Sequence, residues 1–206
     1  MVVIADYGMG NLHSVLKAFR RLRVDAVISN NPEDIINADK LILPGVGNFK
    51  RGMNNLRESK LIEPLNTAVL EQKTPILGIC LGMQLMTKYS EEGNIEGLGW
   101  IDAETLRFDF SQYNNSLLHI PHIGWNNATT NSENLLFTDL DQETKFYFVH
   151  SYYVNCKQED NIAAVTKYGN TFVSAIAKNN IFATQFHPEK SHDSGLNLLK
   201  NFIDRT

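Results

Sequence analysis

The stretch Gly78-Ile79-Cys80-Leu81-Gly82 constrains this chain more than any other. An apolar run from Pro75 to Ile79 drives into a cysteine flanked at both second neighbours by glycine, and a helical pattern, Leu81 to Tyr89, follows. A strand that turns sharply into a helix around a nucleophile needs those glycines, because a side chain at either second neighbour would clash in the corner. The spacing therefore predicts a nucleophile elbow with Cys80 at a helix N-terminus, where unpaired N–H groups and the helix dipole favour a thiolate. A buried structural cysteine in an apolar strand is the other reading of the same residues.

The far end of the chain supplies a partner for such a thiol. Ile181 to Phe186 reads as a strand and leads into His187-Pro188-Glu189. In an extended segment residues two apart point the same way, so Glu189 can stand behind His187 and fix its tautomer. Pro188 pushes His187 towards an extended conformation. Taken alone, H-x-E is also what a surface histidine beside an acid looks like. A third segment, the strand Lys40 to Leu43, runs into Pro44-Gly45-Val46-Gly47. Exposed N–H groups in such a turn can hold an oxyanion, with Val46 and Gly47 as candidate donors and the N–H of Leu81 as the second site. An ordinary tight turn explains these four residues equally well.

At 206 residues and 43% hydrophobic content the chain can bury one core and is short for two, so a single domain over 1–206 is expected. A net charge of −4 gives no electrostatic case for nucleic acid or an anionic membrane. Two distant cysteines, Cys80 and Cys156, make no disulfide framework, and Cys156 has no motif around it. Met1 to Ala5 reads as a buried strand rather than a signal peptide, and no run reaches transmembrane length, so a reducing, cytoplasmic setting is expected. His13, His119, His122, His150 and His192 show no ligand spacing with Cys or Asp, so no metal is expected, and a thiol–imidazole–carboxylate set needs no organic cofactor.

Strands and helices alternate in the first half. Val2 to Ala5 precedes a turn at Gly8 and Gly10, then Leu12, Val15, Leu16, Phe19 and Leu22 recur at helical spacing. His13 stands where a dinucleotide fingerprint needs its third glycine. Asp25 to Ser29 is a strand, Asn31-Pro32 a helix start, and helical patterns surround Phe49-Met53-Leu56 and Ile62-Leu65-Val69. From Gly93 onward strands follow at short intervals: Trp100 to Phe108, Leu117 to Ile123, Phe146 to Asn155, Ile162 to Tyr168, Phe172 to Ala177 and Ile181 to Phe186. The polar stretch Ser111 to Ser116 is expected to be a mobile loop, and a last helix starts near Ser194. The expected fold is α/β: a mostly parallel central sheet with helices on both faces, and antiparallel additions at its edge from the C-terminal half.

These segments in this order resemble the class I glutamine amidotransferase family, whose fold is flavodoxin-like and whose glutaminases use a Cys-His-Glu triad. The resemblance covers essentially the whole chain. Within the family, Asp6-Tyr7-Gly8-Met9-Gly10-Asn11, His122-Ile123-Gly124-Trp125-Asn126 and Phe146-Tyr147-Phe148-Val149-His150-Ser151-Tyr152 resemble the branch that serves histidine biosynthesis. The resemblance implies that Cys80, His187 and Glu189 hydrolyse glutamine, with Gly45, Gln84, Ser151 and Tyr152 around the substrate. It also implies that ammonia passes to a (β/α)8-barrel synthase subunit in a heterodimer, with Asn11, Trp125, Tyr147 and Lys190 near that interface. Gln84 could instead simply follow the elbow on its helix, and a lone Trp or Tyr is more often core than interface.

His192-Asp193 follows H-P-E-K-S where relatives in the histidine pathway often have glycine and an acid, and the segment between Trp125 and Phe137 is polar and undistinguished. A paralogue feeding ammonia into amidine or amine formation on a surface sugar therefore stays open. So do a cysteine peptidase or esterase-like hydrolase on a related fold, and a catalytically silent binding subunit.

Overall fold

The computed structural model describes residues 1–113, 118–130, 134–142 and 144–206. The first half alternates as its sequence dictates: β1 (Val2–Ala5), α1 (Leu12–Arg21), β2 (Ala26–Ser29), α2 (Pro32–Ile36), β3 (Lys40–Gly45), α3 (Phe49–Glu58) and α4 (Ile62–Asn66), the last continued by a wider π turn, Thr67–Glu71. Then come β4 (Ile76–Cys80), α5 (Leu81–Leu85), β5 (Thr87–Ser90), β6 (Ile95–Glu96), β7 (Ile101–Arg107), β8 (His122–Asn127) and β9 (Thr129–Thr130). The chain closes with β10 (Lys145–His150), β11 (Tyr152–Cys156), β12 (Ile162–Tyr168), β13 (Asn170–Lys178), β14 (Ile181–Thr184) and α6 (His192–Arg205).

Local chemistry sets the helix ends. The side chains of Asn11, Asn31 and Asn48 accept from the first-turn N–H groups of α1, α2 and α3, and Pro32 occupies the first turn of α2. On α1, Val15, Leu16, Ala18 and Phe19 are buried on one stripe.

Five parallel strands form the centre in the order β2-β1-β3-β4-β14. From β14 the sheet continues through antiparallel β13 and β11 to β7, which pairs with β5 in parallel, while β12 and β9 branch from β13. This matches the expected α/β sheet with antiparallel additions. Strand alternation divides the core into two layers: Val3, Leu41, Leu43 and Ile76 face α3 and α4, whereas Ile4, Ile42, Leu77 and Ile79 face α1 and α6. Burying β1, β3, β4 and β14 on both faces explains their continuous apolar runs.

Three expectations are corrected. The helix after the elbow ends at Leu85, not Tyr89, because Thr87 to Ser90 pair with β6 and β7 instead; Thr87 Oγ1 donates to Gln84 O at 2.8 Å at the helix end. Phe146 to Asn155 is two strands, broken at Ser151: among the described residues β10 pairs with β8 alone in a separate two-stranded ribbon, and β11 joins the main sheet. The strand expected from Leu117 to Ile123 begins at His122, and Leu117 lies outside the described residues, as do residues 114–116 of the expected loop.

Candidate active site

β4 delivers Cys80 to the carboxyl edge of the sheet and α5 leaves at once, so Cys80 sits at φ 54, ψ −107, a conformation L residues rarely adopt. The glycines have the steric cause expected of them. A Cβ on Gly82 would fall onto the Leu43 carbonyl, and one on Gly78 would lie 2.8 Å from Met86 Cε and 3.0 Å from the Gly82 carbonyl carbon. With α5 five residues long, the helix dipole behind Cys80 is that of barely one turn.

Parallel pairing of β3 with β4 sets Gly45 opposite Cys80, which brings Val46 and Gly47 just past the thiol. Gly47 has φ +108, open to glycine, and a Cβ on Gly45 would stand 2.6 Å from Tyr7 Oη and 2.8 Å from Leu81 Cβ. Tyr7 Oη donates to Pro44 O at 2.7 Å and so pins the strand end; burial, and then the Cys80 charge, push its phenol well above the usual tyrosine range. The Asp6 to Asn11 turn therefore backs the Gly45 loop, with Gly10 within 3.4 Å of the Gly45 backbone if it bore a Cβ.

On the other side β14 pairs with β4 and carries the chain past Gln185 to His187. His187 is extended, as its place before proline requires, but Glu189 reaches it from a 3-10 turn, Pro188–Lys190, and not from strand alternation. His187 Nδ1 lies 2.8 Å from Glu189 Oε1, with side chains 1% and 3% exposed. Burial lowers the imidazole pKa, and the charge of the nearby Cys80 sulfur, together with Glu189, overcomes this and raises it to about 10, although His187 Nε2 itself meets no hydrogen-bond partner among the described residues. The His187 N–H donates to Tyr147 O at 2.9 Å and Ser191 Oγ donates to His187 O at 2.6 Å, so the backbone is clamped from both sides. Cys80 Sγ lies 3.9 Å from Val149 O and receives an N–H from Gln185 Nε2 at 3.7 Å.

A cleft of ≈ 280 Å³ opens at Cys80. Val46, Gly47, Leu81, Gln84, Ser151 and Tyr152, all expected from the sequence or the resemblance, line it. Gln84 commits its amide nitrogen to Tyr152 O and Gln185 Oε1, both at 3.0 Å. Glu92, Val149 and His150 line the cleft without having been expected there; Glu92 Oε2 accepts from the Phe49 N–H at 2.7 Å. Among the described residues no cluster of three or more His, Cys, Asp or Glu side chains is placed to hold a metal ion, and no helix is long and apolar enough to cross a membrane.

Trp125, Tyr147 and Lys190 come together. Trp125 is 47% exposed and opposes Tyr147 in the β8–β10 ribbon, and Lys190 Nζ stands 5.9 Å over the Tyr147 ring. The departure at His192 takes part here, since its ring stacks on Trp125 at 5.0 Å and 8°. Asn11 is exposed and caps α1.

A thiol on a strained strand-to-helix corner, a buried imidazole–carboxylate pair and a glycine-rich loop beside them are the equipment of acyl transfer through a thioester. The Glutamine amidotransferase class-I family profile matches residues 3–206. A solved glutaminase domain of Trypanosoma brucei CTPS with bound acivicin shares the fold, with a TM-score of 0.67 and 18% identity over 100% of this chain and 94% of that one. The chain belongs to the class I glutamine amidotransferase family. Within it, the chain is 51% identical over 203 residues to imidazole glycerol phosphate synthase subunit HisH 2 of Methanococcus maripaludis, covering 98% of both. It is 50% identical over 204 residues to subunit HisH 1 of Campylobacter jejuni, covering 98% of this chain and 99% of the relative.

Proposed function

We propose that residues 1–206 form one glutaminase domain that hydrolyses glutamine to glutamate and ammonia, and hands the ammonia to a (β/α)8-barrel synthase subunit forming imidazole glycerol phosphate in histidine biosynthesis. The observation that carries this reading is Cys80 at positive φ beside the buried His187–Glu189 pair, in a chain with full-length likeness to HisH subunits. Cys80 Sγ attacks the side-chain carboxamide carbon, and N–H groups at Val46, Gly47 and Leu81 take up the oxyanion. His187 gives a proton to the departing nitrogen, so ammonia leaves and a thioester remains. The same imidazole, now neutral, draws a proton from water, whose oxygen displaces the thiolate as glutamate forms. Glu189 holds Nδ1–H and supports the ring while it is charged.

Charge complementarity assigns the other end of the substrate. Among the described residues Glu92 is the carboxylate lining the cleft, and it suits the α-ammonium of glutamine, with the Ser151-Tyr152 backbone beside it. Trp125 and Ile123, 47% and 59% exposed on the outward face of β8, suit an apolar partner surface, with Tyr147 and Lys190 beside Trp125 and Asn11 exposed at the start of α1.

The deciding experiment measures glutamate release by the chain alone, with the synthase subunit, and with that subunit plus an acceptor analogue. Activation of about a hundredfold needs only about 2.7 kcal/mol of differential stabilisation, within reach of a shifted peptide at Val46 and Gly47, just past the end of β3. Equal rates in all three would remove control by the partner, and no glutamate in any would remove the glutaminase reading.

A further inference from the structure

His122 and His150, from two of the three segments that resemble the histidine branch, have no part in the scheme above, yet both are buried, and His150 lines the cleft. They face each other in the β8–β10 register, with His122 Nδ1 3.0 Å from His150 Nε2. Groups of fixed polarity at either end assign every proton in this contact. His150 Nδ1 lies 2.8 Å from Tyr152 O, a carbonyl that only accepts, so Nδ1 carries the hydrogen. A neutral His150 then accepts at Nε2, and His122 Nδ1 donates to it. His122 Nε2 is left to accept from Asn126 Nδ2 at 3.3 Å. The Asn126 amide cannot be reversed, because its Oδ1 accepts from the Asn127 N–H at 2.8 Å and its Nδ2 donates to Lys167 O at 3.0 Å.

Both rings are neutral for a physical reason. Burial lowers His122 to about 4. Burial likewise lowers His150 to about 3, against the opposing hydrogen bond to Tyr152 O, and a positive charge on His122 or His187 would lower it further. Around them stand rings, not counter-charges: Tyr168 stacks on His122 at 3.9 Å and Phe148 at 5.0 Å, while Phe108 lies 5.3 Å from His150.

The assignment continues to the nucleophile. Tyr152 O also accepts from Gln84 Nε2, which orients that amide; the same Nε2 donates to Gln185 Oε1, and Gln185 must therefore turn its NH2 towards Cys80 Sγ. One hydrogen-bonded series thus runs from Asn126, on the ribbon that carries Trp125, to the thiol.

We propose that His122 and His150 are positioning residues: as neutral Nδ1–H tautomers they hold the Tyr152 carbonyl, and through Gln84 and Gln185 that carbonyl aims an N–H at the Cys80 sulfur. The proposal deepens the glutaminase reading and rests on it for the identity of the nucleophile.

The test uses the full chain with Cys156→Ala, histidine nitrogens labelled, and two readouts that need no glutamine: imidazole ¹⁵N shifts and the rate of Cys80 alkylation by iodoacetamide. In the parent both rings carry the proton on Nδ1 and do not titrate between about pH 6 and 8. Asn126→Asp puts an acceptor where a donor stood, so His122 must protonate Nε2, either becoming charged or reversing the series and leaving His150 Nδ1 bare against Tyr152 O. That variant changes the His122 spectrum and alters Cys80 alkylation about fivefold, the worth of one hydrogen bond, although Asn126 does not touch the thiol. His150→Leu does the same, while His150→Asn, which keeps a donor near the Nδ1 position, stays within about twofold of the parent. Nε2–H tautomers in the parent, unchanged alkylation in Asn126→Asp, or equal behaviour of His150→Leu and His150→Asn would each overturn the proposal. Asn126, at a half-buried position, carries the test if His150→Leu does not fold. Expected spectra and alkylation with no glutamine turnover beside the synthase subunit would instead count against the glutaminase reading alone.

Discussion

Gly82→Ala puts the elbow geometry under direct strain. The added Cβ would overlap the Leu43 carbonyl oxygen and lie 2.8 Å from its carbon, where ordinary contact begins at 3.4 Å. Both sides of the clash are backbone, so β3 and α5 must move apart, and rotation of a side chain cannot relieve them. Leu43 is two residues before Gly45, the residue paired with Cys80, so the displacement falls on the loop that carries Val46 and Gly47. Overpacking of this kind costs about 1–3 kcal/mol in stability. A misplacement of roughly 1 Å at reacting groups costs about a hundredfold in turnover. Gly99→Ala is the matched control: Gly99 has φ +71 but nothing within 4 Å, so it incurs only the backbone penalty of about 1–2 kcal/mol, away from the thiol. Denaturant unfolding, iodoacetamide trapping of Cys80 and glutamine hydrolysis beside the synthase subunit separate the two effects. A Gly82→Ala protein that alkylates and turns over like Gly99→Ala would refute the steric account of the elbow.

Cys80→Ala abolishes glutamine hydrolysis and Cys156→Ala leaves it nearly unchanged; the reverse pattern would displace the nucleophile. Because the Cys80 sulfur is the leading influence that raises His187, its removal moves the His187 titration downward from about 10, and NMR titration showing no movement would contradict the pairing. His187→Asn loses nearly all turnover, while Glu189→Gln loses less, since the ring remains and only its orientation and charge support suffer; wild-type kcat in the His187 variant would remove it from the reaction. Glu92→Gln raises KM for glutamine with a smaller change in kcat, as removal of a contact equal in ground and transition states should; a pure kcat effect would reassign the carboxylate.

How much of this was legible in the sequence follows the range of the forces involved. The elbow could be read because its cause is steric and local: Gly78 and Gly82 meet backbone or the neighbouring turn within a few residues or across one paired strand. The His187–Glu189 pair could be read from spacing, although a 3-10 turn, and not a strand, brings the carboxylate round. Periodicity failed where pairing partners far along the chain decide. Thr87 to Tyr89 continue a helical pattern locally but are claimed by β6 and β7, and Phe146 to Asn155 is one apolar run that two different sheets divide at Ser151. Glu92 and Gln185 were missed as cleft and thiol contacts for the same reason: β5 and the strand end after β14 bring them to Cys80 from 12 and 105 residues away, and nothing in their neighbours announces it.

The three buried histidines around the cleft follow opposite electrostatic logic, and acid stability reads it out. His187 has a carboxylate at 2.8 Å and a sulfur to support its charge, whereas His122 and His150 have aromatic rings and each other. Since the folded pKa values of His122 and His150, about 4 and 3, lie below the unfolded 6.5, the unfolded chain binds more protons below pH 6.5. Their contribution is therefore fully present above about pH 6.5 and is lost as pH falls towards the folded values. His187 acts with the opposite sign, its folded value lying above the unfolded one, so it adds nothing to the acid loss. The Asn side chain at position 150 cannot take up that proton, so His150→Asn flattens the fall in unfolding free energy between about pH 6.5 and 4, with carboxylates common to both proteins cancelling in the difference. Parallel urea titrations of parent and variant across that interval give the comparison. Identical slopes would mean that His150 takes up its proton at the same pH in the folded and unfolded chain, and would break the argument that burial keeps it neutral.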